Sequence, residues 1–185
     1  MDSLATRRRP ALRALALAAI TTVVVAAAAS GATPSLPEPG ASVLAIPFFV
    51  DRKLGGTLRD SLEEAARRLS VERCQEVLSD FTDGAGHRLD ENLAATGKSM
   101  PDYLGLVLFY DGSGTEPCEN ERVLAWTKPG SRAVLVCESF FRWQRADAGY
   151  AANIVIHETL HTLGLRESPP SPGEITKRVA ERCGR

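Results

Sequence analysis

His157-Glu158-Thr159-Leu160-His161-Thr162-Leu163-Gly164 is the stretch that decides how this chain is read. Residues four apart on an α-helix lie one above the other, about 6 Å apart, so His157 and His161 can offer two imidazole nitrogens to one metal ion. Glu158 follows His157 round the helix, where its carboxylate can act on a water at the ion instead of ligating the ion itself. That division of roles suits hydrolysis. Zinc lowers the pKa of a bound water to about 7 and polarises a carbonyl, and a carboxylate can take the water's proton and deliver it to a leaving amine. Tyr150 to Ile156 contains no helix breaker, and Ile156, Leu160 and Leu163 make an apolar stripe beside the histidine line. Such a helix buries its stripe and turns both imidazoles into a cleft. The plainer alternative is a core helix whose histidines are simply satisfied.

Beyond His161, Gly164 stands where a helix ends in the left-handed conformation, with Leu165 folding back on Leu160 as in a Schellman motif. A turn of that kind carries Glu167 back toward the ion as a third protein ligand and leaves a fourth position open. The run His157-Glu158-x-x-His161-x-x-Gly164-x-x-Glu167 resembles the zincin metallopeptidases and is similar to the extended metzincin and snapalysin signature. Those families place His or Asp where this chain has Glu167, although a Glu oxygen is an acceptable zinc ligand. Metzincins also carry a methionine turn downstream of the signature. Here both methionines, Met1 and Met100, precede it, so the chain departs from the standard metzincin. In the gluzincin pattern the third ligand is a Glu on a following helix, which makes Glu174 or Glu181, on a helix expected from Gly173 to Cys183, the alternatives to Glu167. The resemblance extends no further than the run from His157 to Glu167. It implies one Zn2+ per chain, a peptide or protein substrate and a minimal zincin-like domain.

The N-terminal region sets the expected compartment. Arg7, Arg8, Arg9 and Arg13 precede an apolar stretch from Ala14 to Ala29, followed by Ser30-Gly31-Ala32, the pattern of a secretory signal peptide over residues 1–32. An uncleaved anchor is the alternative, because about 17 apolar residues barely span a bilayer. It would be the only membrane contact. Residues 33–41 read as a proline-rich leader, and residues 42–185 as one domain of ordinary size. Export implies oxidising surroundings. Cys74, Cys118, Cys137 and Cys183 lack metal-finger spacing, so two disulfides are expected. Of the three connectivities, Cys118 with Cys137 (stapling neighbouring strands) and Cys74 with Cys183 (tying the terminal helices) is favoured.

The remaining pattern gives an α+β domain. Ser42 to Val50 reads as a buried strand, and Thr57 to Phe81 as an amphipathic helix with apolar positions Leu58, Leu62, Ala65, Ala66 and Leu69. Leu104 to Tyr110 reads as a strand stopped by Asp111-Gly112-Ser113-Gly114. Arg122 to Thr127 and Ala133 to Glu138 form a hairpin around Lys128-Pro129-Gly130-Ser131, whose Pro-Gly pair favours a type II turn. A small mixed or antiparallel sheet then packs on a long N-terminal helix and the metal helix, with a short C-terminal helix. An edge strand from the hairpin would hold an extended peptide over the cleft. Asp111 to Glu116 reads as a turn rather than a calcium loop, Phe140-Phe141-Arg142-Trp143 as core, and His87 as exposed; Tyr150 either approaches the site or caps the core. A formal net charge of −1, with both signs interspersed, offers no basic stripe to nucleic acid. A monomer is expected. Two functions follow: an exported zinc peptidase, or a zincin-like metal-binding or interaction module of the cell envelope with little or no activity. A zinc hydrolase of non-protein amides shares the chemistry of the first.

Overall fold

In the computed structural model, residues 46–184 are described. The expected signal peptide and leader, and the first residues of the strand expected from Ser42, lie outside them. The elements in chain order are β1 (Phe48–Phe49), α1 (Arg52–Leu69), α2 (Glu72–Gln75), a 3₁₀ turn (Glu76–Asp80), α3 (Leu89–Ala95), α4 (Met100–Leu104), β2 (Leu108–Asp111), α5 (Glu116–Glu119), β3 (Ala125–Thr127), β4 (Ala133–Val136), α6 (Glu138–Ala146), α7 (Ala148–Thr162) and α8 (Pro172–Cys183). The class is α+β.

α1 buries the expected apolar face, Leu58, Leu62, Ala65, Ala66 and Leu69. Its bounds differ from the expected Thr57 to Phe81. It begins at Arg52 because the Asp51 carbonyl accepts from the amides of Leu54 and Gly55, which starts the helix ahead of the glycine pair. Gly55 has a packing reason to be there: a Cβ would come 3.1 Å from the Phe48 ring. The helix ends at Leu69, where Ser70 turns its hydroxyl to the Arg67 carbonyl and Val71 takes extended backbone. The chain then re-enters as α2, which puts Cys74 beside Cys183.

The strand expected from Leu104 starts only at Leu108. Met100–Leu104 is helical instead, with the Ser99 hydroxyl accepting from the Asp102 amide and Pro101 in the first turn. Ser99-Met100-Pro101-Asp102 is a helix-start signal in its own right. It outweighed the apolar run that suggested a strand.

The four strands lie in the order β1-β2-β4-β3; β1, β2 and β4 are mutually parallel and β3 is antiparallel to β4, so the sheet is mixed. The hairpin strands are shorter than expected, because Arg122 to Leu124 only leads into β3 and Glu138 already begins α6. Its turn is as expected: the Ser131 amide donates to the Lys128 carbonyl at 2.8 Å, and Gly130 has φ 80°. The Asp111 to Gly114 turn also forms, with the Ser113 amide on Asp111 Oδ1.

α7 is buried from Ala151 through Thr162 without a break. A helix buried on every side needs neighbours on every side, and α1, α6, α8 and β3 supply them. Phe140 and Phe141 of α6 are in the core as expected, but Trp143, one turn on, is 51% exposed and lies against Tyr150 at the margin. Both disulfides have the expected pairing. Cys118, however, lies on α5 rather than on a strand, so its bond ties a short helix to the end of β4. Closing chain separations of 19 and 109 residues contributes on the order of 3 and 5 kcal/mol respectively in the chain-entropy account. No described helix is long and apolar enough to cross a membrane.

Candidate metal centre

α7 starts where the Asp147 carboxylate accepts from the Tyr150 amide at 2.9 Å. Midway, Arg68 of α1 reaches across to donate to Asn153 Oδ1 (2.8 Å) and to the Gly149 carbonyl (3.1 Å), with its other face on Glu64. Asn153 is one turn before His157, so this clamp fixes the helix next to the first imidazole. At the far end the Gly164 amide donates to the His161 carbonyl (2.9 Å) and the Leu165 amide to the Leu160 carbonyl (3.3 Å), with Gly164 at φ 107°. That pair of bonds is the expected Schellman motif. The hairpin turn joins here too, because the Gly130 amide also donates to the His161 carbonyl at 2.9 Å.

The two imidazoles and Glu167 come together. His157 Nε2 and His161 Nε2 are 2.9 Å apart, and Glu167 Oε1 lies 3.3 Å from the latter and 3.7 Å from the former. The three donor atoms all fall within 4.8 Å of one another. Each ring is oriented from behind. His161 Nδ1 is 2.8 Å from the Leu165 carbonyl, which can only accept, so the proton sits on Nδ1 and the Nε2 lone pair points at the cluster. His157 Nδ1 meets the Thr176 hydroxyl of α8 at 2.9 Å. Ligating histidines are typically held this way. Both rings are buried, and burial together with the neighbouring His157 lowers the pKa of His161.

The two carboxylates differ. Glu167 is half exposed, and the imidazole of His157, with that of His161 alongside, holds its pKa below the ordinary value. Glu158 is 5% exposed; desolvation first, and the charge of Glu167 second, push its pKa up to about 8. Among the described buried side-chain nitrogens and oxygens, only Glu158 Oε2 lacks a hydrogen-bond partner. An unsatisfied buried oxygen costs about 1–3 kcal/mol and marks a place where a water, an ion or a reacting group belongs. Two imidazole nitrogens and one carboxylate oxygen beside a carboxylate with a partnerless oxygen form a donor set that could hold a divalent metal ion with an open position.

Glu174, the alternative ligand, is committed elsewhere: its Oε2 accepts from the Ser171 amide (2.8 Å) and hydroxyl (2.6 Å) in the capping box that starts α8. Glu181 pairs with Arg178 and Lys177 further along that helix.

The cluster lies in a cleft of about 1030 Å³. Its base is α7, with Tyr150, Ile154, His157, Glu158 and His161; one wall is β3, with Ala125, Trp126 and Thr127, and the other is α8, with Thr176, Lys177 and Ala180. Among the described residues β3 pairs with β4 alone, so within them it is an edge strand, and its residues line this wall. Tyr150 therefore lines the site instead of only capping the core. Thr176 and Gly130 escaped sequence reading, since a threonine on a C-terminal helix and a turn glycine carry no local sign of the imidazole or carbonyl they meet. No protein-family model, curated protein or solved structure matches the chain.

Proposed function

We propose that this protein is an exported zinc-dependent peptidase, with His157, His161 and Glu167 as the metal ligands and Glu158 as general base. The observation that carries the reading is the convergence of three donor atoms beside a buried carboxylate with one oxygen, Oε2, that has no partner. When bound, zinc supplies Lewis acidity, acidifying a water and polarising the scissile carbonyl. Glu158 takes a proton from the attacking water at Oε2 and returns it to the leaving amine nitrogen, a transfer worth about 10²–10⁴-fold in rate. His157 and His161 keep their orientation through Thr176 and the Leu165 carbonyl. The outer edge of β3 offers main-chain hydrogen bonds to an extended substrate, while Trp126, Tyr150 and Ile154 give the cleft its apolar surface.

Two disulfides and the basic, apolar N-terminal sequence support an extracytoplasmic location, and the substrate is a peptide or protein. The test is zinc content and digestion of an unfolded protein by the chain and by Glu158→Gln. One zinc per chain in both, with digestion lost in the variant and in chelator, is the expected result. Zinc in both with digestion in neither would favour the envelope metal-binding module, and absence of zinc from the wild type would overturn the metal reading.

A further inference from the structure

The turn that returns Glu167 is held from a distant part of the chain. At the end of α7 the Thr162 carbonyl accepts from the Tyr103 hydroxyl (3.2 Å) and the Leu163 carbonyl from Asn92 Nδ2 (2.9 Å). Asn92 Nδ2 also donates to Asp83 Oδ2 at 3.0 Å, and Asp83 pairs its backbone with Leu165 as an isolated antiparallel bridge. The other carboxylate oxygen of Asp83 accepts from the amides of Ala85 (2.8 Å) and His87 (3.0 Å), which fixes its direction. Asp83 and Asn92 pack on the turn itself: a Cβ on Gly164 would come 3.0 Å from Asp83 Cβ and 3.6 Å from Asn92 Nδ2. Arg166, two residues past Gly164, lies over Gly84, in the hairpin turn that the antiparallel bridge between Thr82 and Arg88 closes around Asp83.

Leu165 is the residue on which this support converges. Its carbonyl orients the His161 ring, and its backbone begins the two-residue approach to Glu167. Glu167 is half exposed, with its carboxylate beside the two imidazoles, so its position depends strongly on the turn that carries it. We infer that Asp83 and Asn92 are positioning residues of the metal centre, holding the Gly164 turn so that Glu167 reaches the ion. The inference rests on the metal-ligand reading above. Neither residue touches the ion. They do the work of a structural turn beneath the site without a methionine, and a hydrogen-bonded amide does it where the helix has run out of backbone donors.

The experiment measures metal affinity of the full chain by competition with a chelator, together with the visible spectrum of the cobalt-loaded protein, for wild type, Asn92→Ala, Asp83→Ala, Glu167→Ala and the double variant Asn92→Ala/Glu167→Ala. Loss of outer support typically costs about 10–100-fold in metal affinity, and Asn92→Ala is expected in that range with an altered cobalt spectrum. Asp83→Ala, in a partly exposed hairpin, is expected to move the same way by less and carries the test if Asn92→Ala does not fold. In the Glu167→Ala background, Asn92→Ala should cost clearly less than it does alone, because most of its effect passes through Glu167 and only the part carried by the Leu165 carbonyl behind His161 remains. A purely structural role would lower the melting temperature of the metal-free protein and leave the cobalt spectrum unchanged. Wild-type affinity and spectrum in both single variants, or a full additional loss in the double variant, would overturn the inference. A wild type that binds no metal overturns the metal reading and this one together; metal bound without hydrolysis counts against the peptidase alone and leaves the positioning result readable.

Discussion

The helix that carries the two imidazoles and the turn that follows it place their candidate ligands by different means. His157 and His161 are four residues apart on one buried helix, their rings fixed from behind, and helical geometry alone would bring them together. Glu167 is placed by a left-handed glycine, a backbone bridge to Asp83 and an amide from Asn92, and its side chain stays half exposed. The comparison teaches where precision comes from. A helix gives two ligands at almost no added conformational cost, whereas a third ligand from irregular chain needs contacts drawn from elsewhere.

The largest expected effect breaks the helical half. His161→Ala should abolish stoichiometric zinc binding, read as metal content after dialysis, because only one imidazole and an exposed carboxylate remain. Glu158→Gln should leave zinc in place and lower kcat by about 10²–10⁴-fold, measured on a single peptide substrate under saturating conditions. A variant that kept wild-type turnover would remove Glu158 from the chemistry. Glu167→Ala tests the irregular half. It should retain weak, chelator-sensitive binding at His157 and His161, with affinity lowered further than by Thr176→Val, which removes only the support behind one ring and should cost about 10–100-fold. If Glu167→Ala binds zinc as the wild type does, the third ligand has been misassigned.

The smallest effect sharpens the contrast between the two carboxylates. Glu158 in the fold titrates near 8 because it is desolvated, while in the unfolded chain it ionises near the ordinary carboxylate value of 4.5. Between those values the unfolded state holds fewer protons, so the metal-free protein loses stability as pH rises from about 4.5 to about 8. Glu158→Gln should remove that dependence and raise the metal-free melting temperature at pH 8. Glu167, lowered by its imidazole neighbours, works in the opposite sense, and its contribution is lost as pH falls through its folded pKa. Melting curves of the two single variants across pH, without metal, separate these contributions.

Some elements could be read from sequence because their causes are local. The Schellman turn at Gly164 and the Pro129-Gly130 turn each depend on a handful of neighbouring residues, and each formed as expected. The region from Ser70 to Val107 was read poorly. Its apolar pattern suggested a helix running on to Phe81 and a strand from Leu104, but the helix stops at Leu69 and Met100–Leu104 is helical. There the signals of periodicity and capping conflicted, and the local stop at Ser70 and start at Ser99 prevailed over the apolar pattern. His87 is exposed, as its polar setting suggested, yet the loop bearing it supports the metal centre through Asp83. Nothing local to that loop announces the role.

The sequence by itself put forward the candidate pair His157 and His161 with Glu158 between them, favoured one disulfide pairing of three and gave the α+β class, since spacing along a helix and residue chemistry are properties of neighbours. Only the tertiary structure decided between Glu167 and Glu174 as the carboxylate beside the imidazoles, made β3 the strand along the cleft, and brought Asp83, Asn92 and Thr176 to the site. Those choices depend on contacts between residues far apart in the chain, and the free energy of such contacts exists only once the core that brings them together has formed.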